Sequence, residues 1–137
     1  MASLIYNSAV DDLAKGAIDF DTDTFKIMLV TSSYTPNKDT HDRRDDVTNE
    51  ITGTGYTAGG VTLVCTVTKD TANDKVTLGF ASVSWASATV TARGAVIYKS
   101  TGTASADPLV AYIDFVNDVS SNGGTFSIGA STITLQN

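Results

Sequence analysis

One cysteine, Cys65, stands in 137 residues, so no disulfide can form within the chain. It lies in the apolar run Val61-Thr62-Leu63-Val64-Cys65, where a thiol behaves as a small buried hydrophobe. A nucleophilic role needs a partner base, and His41 is the only histidine. One imidazole beside scattered acids such as Asp42 and Asp45 makes neither a metal site nor an acid–base pair of recognisable spacing. No serine stands in a nucleophile-elbow pattern. The sequence therefore reads as that of a protein that is not an enzyme and has no cofactor. Apolar runs are short, and none approaches the roughly 20 residues of a membrane span. The N-terminal segment Met1-Ala2-Ser3-Leu4-Ile5-Tyr6 has no charged n-region or long apolar stretch, so no signal peptide is expected.

Basic charge is also scarce. Nine Lys and Arg face fifteen Asp and Glu, for a net charge of −6. Residues 1–60 hold ten acids and five bases, and residues 61–137 hold five and four. A nucleic-acid backbone or an anionic membrane surface requires the opposite balance, so neither is an expected partner. The acidic first half serves solubility or meets a basic protein. Charged residues make up 18% of the chain, below the roughly 25% of an average soluble domain, so hydroxyls and small residues must cover much of the surface.

The chain has 42% hydrophobic residues, enough for one folded domain over residues 1–137. Asn7 or Ser8 can cap a short helix over residues 9–15, with Val10, Leu13 and Ala14 on one face, Asp11 and Asp12 in its first turn and Gly16 as its stop. The rest reads as β structure. Strands are expected at residues 4–6, 25–31, 61–68, 75–80, 83–85, 89–99, 109–115, 125–128 and 131–135. Turns are expected at 69–74, 100–107 and 117–124, and Arg93-Gly94 can bend or bulge its strand. Asp19, Asp21 and Asp23 have the spacing that opens a calcium loop, but Thr24 replaces the turn glycine and Val30 the bidentate glutamate. They are expected on a strand or turn. Many short strands with one helix indicate an all-β fold: a jelly-roll-like antiparallel β-sandwich with one short N-terminal helix and a long polar loop. An immunoglobulin-like sandwich is the alternative.

The long loop is residues 32–60. It holds His41, Arg43 and Arg44, and Val47 and Ile51 are its only branched aliphatics. A connection of this length is usually functional or disordered. Gly53, Gly55, Gly59 and Gly60 surround Tyr56 without the lysine and following helix of a phosphate loop, so they are read as turns. The loop either reaches a neighbouring subunit as an arm or folds back on its own Asp–Arg pairs. Aromatic and arginine side chains anchor interfaces, which makes Tyr34, Arg43, Arg44 and Tyr56 candidate partner contacts. Trp85, flanked by small residues, is a core or interface anchor and less readily a sugar-stacking platform.

Residues 16–60, residues 83–99 and the segment Pro108-Leu109-Val110-Ala111-Tyr112-Ile113-Asp114-Phe115 resemble small structural proteins of tailed bacteriophages. Within that group the resemblance is to jelly-roll cement, or decoration, proteins of phage heads. The resemblance implies a virion protein on the outer capsid surface. It further implies contact with the major capsid protein across subunit seams, and a homo-oligomer, a dimer more readily than a trimer. A tail-associated receptor- or glycan-binding module and a head–tail joining protein are the alternatives, since fold does not fix function.

Overall fold

The computed structural model describes residues 2–137. Its elements are β1 (Leu4–Ile5), α1 (Asn7–Ala14), β2 (Phe25–Val30), β3 (Val61–Leu63), β4 (Cys65–Asp70), β5 (Lys75–Phe80), β6 (Val83–Lys99), β7 (Leu109–Ile128) and β8 (Ser131–Gln136). The strands form two antiparallel sheets, one of order β1-β7-β6-β2-β3 and one of order β4-β5-β8. The all-β sandwich expected from sequence is present, divided five strands to three.

The larger sheet is covered on both faces, and β2 shows why its sequence has no polar alternation. Phe25, Ile27 and Leu29 face the smaller sheet and join Leu78, Phe80, Trp85, Val90, Ile97 and Phe126 in the inner core. Phe20, Phe25 and Phe80 pack there as one stacked pair and two edge-on contacts. Met28 and Val30 point the other way, into a second cluster with Tyr6, Tyr34, Val96, Tyr98, Leu109 and Tyr112. The opposite-face rule for successive strand residues thus divides one apolar run between two cores. Residues 32–60 cover both cores: Tyr34 is buried within the second core and Val47 packs on its rim, while Ile51 and Tyr56 join the inner core.

The helix begins two residues earlier than its pattern suggests. Tyr6 is the N-cap and provides no side-chain cap hydrogen bond. The buried face consequently runs through Ala9 and Asp12, with Val10 exposed. Asp11 and Asp12 fall outside the first turn. Of the expected face of Val10, Leu13 and Ala14, Leu13 packs against the inner core while Val10 and Ala14 are exposed, and Asp12 is held inward by Arg43, 2.9 Å away.

Three strand boundaries also differ. The expected strand over residues 61–68 is two strands, β3 and β4, interrupted at the exposed Val64, where the chain passes from one sheet to the other. Residues 83–85 and 89–99 are one strand, β6, with a register shift between Trp85 and Ala88 and Ser87 at φ 50°. The turn expected at 117–124 is extended strand within β7, because the first half of β6 offers it a partner. Thr91↔Ser120 and Val90↔Ser121 pair there, and the Thr91 and Ser120 hydroxyls are 2.8 Å apart. The bulge anticipated at Arg93-Gly94 occurs as a register shift between Ala92↔Val119 and Gly94↔Asp114. Its extra residues are in β7, where Val116 takes φ 72°. A Cβ on Gly94 would stand 2.5 Å from the Tyr112 hydroxyl and 2.7 Å from the Ile113 carbonyl, so the close approach of the strands requires glycine there.

Candidate interaction site

The loop over residues 32–60 is folded back and fastened at four places. At its start, Asn7 donates its backbone N–H to the Lys38 carbonyl and its side-chain amide to Asp39. Next comes a chain of hydroxyls. The Asn37 N–H points at His41 Nδ1, which makes that nitrogen an acceptor. The Tyr34 hydroxyl, 2.9 Å away, therefore donates to Nδ1 and accepts from the Tyr6 hydroxyl, also 2.9 Å away. Burial pushes the Tyr6 and Tyr34 hydroxyls above the ordinary phenol range, so both remain protonated donors.

The third fastening is the arginine pair. Arg43 reaches Asp12 on the helix, and Arg44 Nε lies 2.8 Å from Asp107 beyond β6. Asp107 is 1% exposed. It also accepts from the Thr101 N–H and hydroxyl, each at 2.6 Å. Burial raises the Asp107 carboxyl, but the Thr101 hydroxyl, Arg44 and the Thr101 amide outweigh it and hold the group below its ordinary value. The Arg44 guanidinium also lies over the Tyr98 ring, 5.2 Å from its centroid. Burial pushes the Tyr98 hydroxyl up to about 12, and it donates to the Gly59 carbonyl at 2.6 Å. Within the loop Asp46 does not pair with either arginine as a salt bridge; its carboxylate accepts the backbone N–H groups of Asp42 and Arg43.

The fourth fastening joins the end of the loop to β2. Tyr56 donates its hydroxyl to Glu50 at 2.6 Å and accepts the Leu29 N–H at 3.0 Å, while the Gly59 N–H also reaches Glu50. Gly60 then passes so close to β2 that a Cβ would collide with the Ile27 carbonyl.

These contacts place the five candidate residues inside the molecule's own framework. Tyr34 and Trp85, at 3% and 4% exposure, are internal to the single chain. Trp85 packs between Tyr56 and Phe126, both with ring centroids 6.0 Å away, so it is a core residue and its ring faces cannot serve as a sugar-stacking platform. Its indole Nε1 is buried without a hydrogen-bond partner. Tyr56, Arg43 and Arg44 are half-buried and already paired. The loop is thus a fixed cover rather than a free arm, and the arginines hold it through acids outside it rather than through its own aspartates. Its outward surface is polar, formed by residues 37–40, Asp42 and Asp45.

Asp19 caps its own turn: its carboxylate accepts the N–H groups of Asp21 and Thr22, and Asp23 accepts that of Asp19. Among the described residues no group of three or more His, Cys, Asp and Glu side chains is placed to hold a metal ion. No described helix is long and apolar enough to cross a membrane. Burial raises the Cys65 thiol above its ordinary value, as suits its packing against the inner core.

A feature that residue types did not single out lies on the opposite side. The sandwich is open between β1 and β7 on one sheet and β8 on the other. A cleft of about 560 Å³ runs there, lined by Leu4, Ile5, Phe80, Ile97, Ile113 and Ile133, among others. The signal in the sequence is an absence: residues 119–137 contain no charged side chain. No protein-family model, no curated protein and no solved structure matches the chain.

Proposed function

We propose that this protein is a structural component of a bacteriophage virion. In this reading it sits on the outer surface of the head as a cement or decoration protein and binds across contacts between major capsid subunits. The observation that carries this reading is how the resembling segments lie in the fold. Residues 16–60, 83–99 and 108–115 are separate in sequence, yet they supply β2, its loop cover, all of β6 and the start of β7. They meet as one body in the large sheet and its loop cover, where they supply every buried residue of the second core except Tyr6 and much of the inner core as well. The resemblance thus falls on a single structural unit, and the jelly-roll-like descent rests on that same resemblance.

The physical character of the unit supports a clamp. A cement protein must hold its own shape while bearing on a shell, and here a long polar connection is pinned by hydrogen bonds and ion pairs at each stage of its course. Binding only to the assembled shell stabilises that state by mass action, and many copies act together. The contact surface belongs to the exposed polar positions of the loop, Asn37, Lys38, Thr40, Asp42 and Asp45, instead of the buried anchors beneath them.

Copy number in purified virions, measured by quantitative mass spectrometry against the major capsid protein, tests the proposal. A ratio near one, or a simple fraction of it, is the expected result. A few copies per particle would assign the protein to the tail or its junction with the head, and absence from particles would overturn the virion role.

A further inference from the structure

We propose that β8 is a homotypic docking edge, through which two copies of this chain join their three-stranded sheets into one continuous six-stranded sheet. The argument begins with backbone hydrogen bonds. Ala81 N–H bonds to the Val64 carbonyl, and Asn137 N–H to the Asp74 carbonyl. Antiparallel pairs alternate between hydrogen-bonded and non-hydrogen-bonded. With the registers Cys65↔Phe80 and Phe80↔Ser131, both bonds give the same phase. Ser131, Ile133 and Leu135 bond to β5, leaving the N–H and C=O groups of Thr132, Thr134 and Gln136 directed outward. Such a row is complementary to another extended backbone.

Sheet edges are normally guarded by charge, shortness, proline or a bulge. β4, at the other side of the small sheet, carries Lys69 and Asp70. In the large sheet β3 has three residues and β1 two. The outer half of β7 has a bulge at Val116 and carries Asp118. β8, with sequence STITLQ, has none of these guards.

The choice of a second copy as occupant follows from self-complementarity. A two-fold axis at Thr134 pairs Thr132 with Gln136 of the second copy, which uses every outward backbone group from 132 to 136. The same register sets Ile133 against Leu135 of the second copy at a non-hydrogen-bonded position, where side chains approach most closely. Leu135 is 40% exposed in the single chain, and this pairing covers it. For a chain of net charge −6, a stretch free of charged side chains is where two copies meet with least repulsion. An isologous contact of this kind closes at two subunits.

Sedimentation velocity of the purified full chain over a concentration series tests the proposal, without recourse to virions, so it stands or falls separately from the cement reading. The wild type is expected at twice the 14.3 kDa chain mass. Thr134→Lys places two like charges opposite each other on the axis, and Thr134→Glu does the same with the opposite sign. Each alone is expected to run as a monomer, and their mixture to recover the dimer. Far-UV circular dichroism checks that both variants are folded. A variant-free readout is amide exchange: Thr132 and Thr134 should slow with rising concentration, while Val67 on the β4 edge should not. A wild type that stays monomeric throughout, a dimer that survives both substitutions, or exchange at Thr132 and Thr134 that ignores concentration would overturn the proposal.

Discussion

Replacing Arg44 by alanine should destabilise the fold by about 2–3 kcal/mol, and the number follows from what its removal leaves behind. Asp107 is 1% exposed, and breaking a buried ion pair by deleting one partner costs about 3–5 kcal/mol. Two features reduce that here. The Arg44 side chain is 25% exposed, so water already screens part of the attraction. Asp107 also retains its two hydrogen bonds from Thr101. Against this stands the lost stacking over Tyr98, worth about 0.5–1 kcal/mol. Urea unfolding at neutral pH is the assay. With a slope of about 1–3 kcal/mol per molar for a small protein, the midpoint should fall by roughly 1 M with its slope unchanged. Adding Asp107→Asn to the alanine variant should cost less than the sum of the two single effects, because the stranded carboxylate is gone. An alanine variant within about 0.5 kcal/mol of wild type would refute the view that this pair fastens the loop. The result also bears on any capsid-binding assay, since loss of binding on removing Arg43 and Arg44 would report first on the fold.

The Asp107 carboxyl gives a pH signature. Its folded value lies below the ordinary carboxylate value of 3.8, so its contribution is complete above that value and is lost as pH falls through the depressed folded value. Thermal melts from pH 5 to pH 2 should show a shallower acid decline for Asp107→Asn than for wild type, measured against each protein's own neutral-pH stability. Trp85→Phe should cost less than about 2 kcal/mol by denaturant unfolding, because it removes a buried N–H that has no partner, whereas Trp85→Ala should cost about 3–5 kcal/mol. Gly16 and Gly60 share φ 77°, but a Cβ at Gly16 meets nothing while one at Gly60 meets the β2 backbone. Gly16→Ala should thus cost about 1–2 kcal/mol in the same assay, the left-handed penalty alone, and Gly60→Ala should yield little folded protein. Equal effects at the two sites would contradict the close packing of the loop on β2.

The parts legible in the sequence are those where local pattern and tertiary role agree. β5 was readable as residues 75–80 from its alternation and its preceding turn, and β2 from an apolar run, interrupted only by Lys26, that needed both faces covered. The turn expected at 117–124 was misread because Asn117, Asn122, Gly123 and Gly124 are turn formers by type, while the partner that keeps them extended is β6, distant in sequence. The helix face was misread because an aspartate counts as polar in any periodicity, yet Asp12 is buried by its arginine. The candidate contacts Tyr34, Arg43, Arg44, Tyr56 and Trp85 all pack or pair within the chain, which their residue types alone did not reveal. Tyrosine and arginine anchor interfaces, but they anchor loops to their own domain by the same chemistry, and composition does not distinguish the two. The unguarded β8 edge was visible only as missing charge, which acquires meaning once the topology shows that strand at the border of its sheet.

The placement of β2 between β6 and β3 in the large sheet has a consequence for synthesis. β2 pairs with β3 through Phe25, Lys26 and Ile27 alone, and beyond a single bridge from Val30 to Glu50 it is paired along its whole length only by β6, with Met28, Leu29 and Val30 opposite Val96, Ala95 and Gly94. On a ribosome adding about 5–20 residues per second, the segment FKIMLV leaves the tunnel several seconds before that partner exists. During this interval Lys26 is the only charge interrupting a six-residue apolar strand. The nascent chain is therefore most exposed to aggregation between the emergence of β2 and that of β6. Translation slowed between residues 31 and 93 would lengthen that interval and lower the yield of folded protein without altering the finished structure.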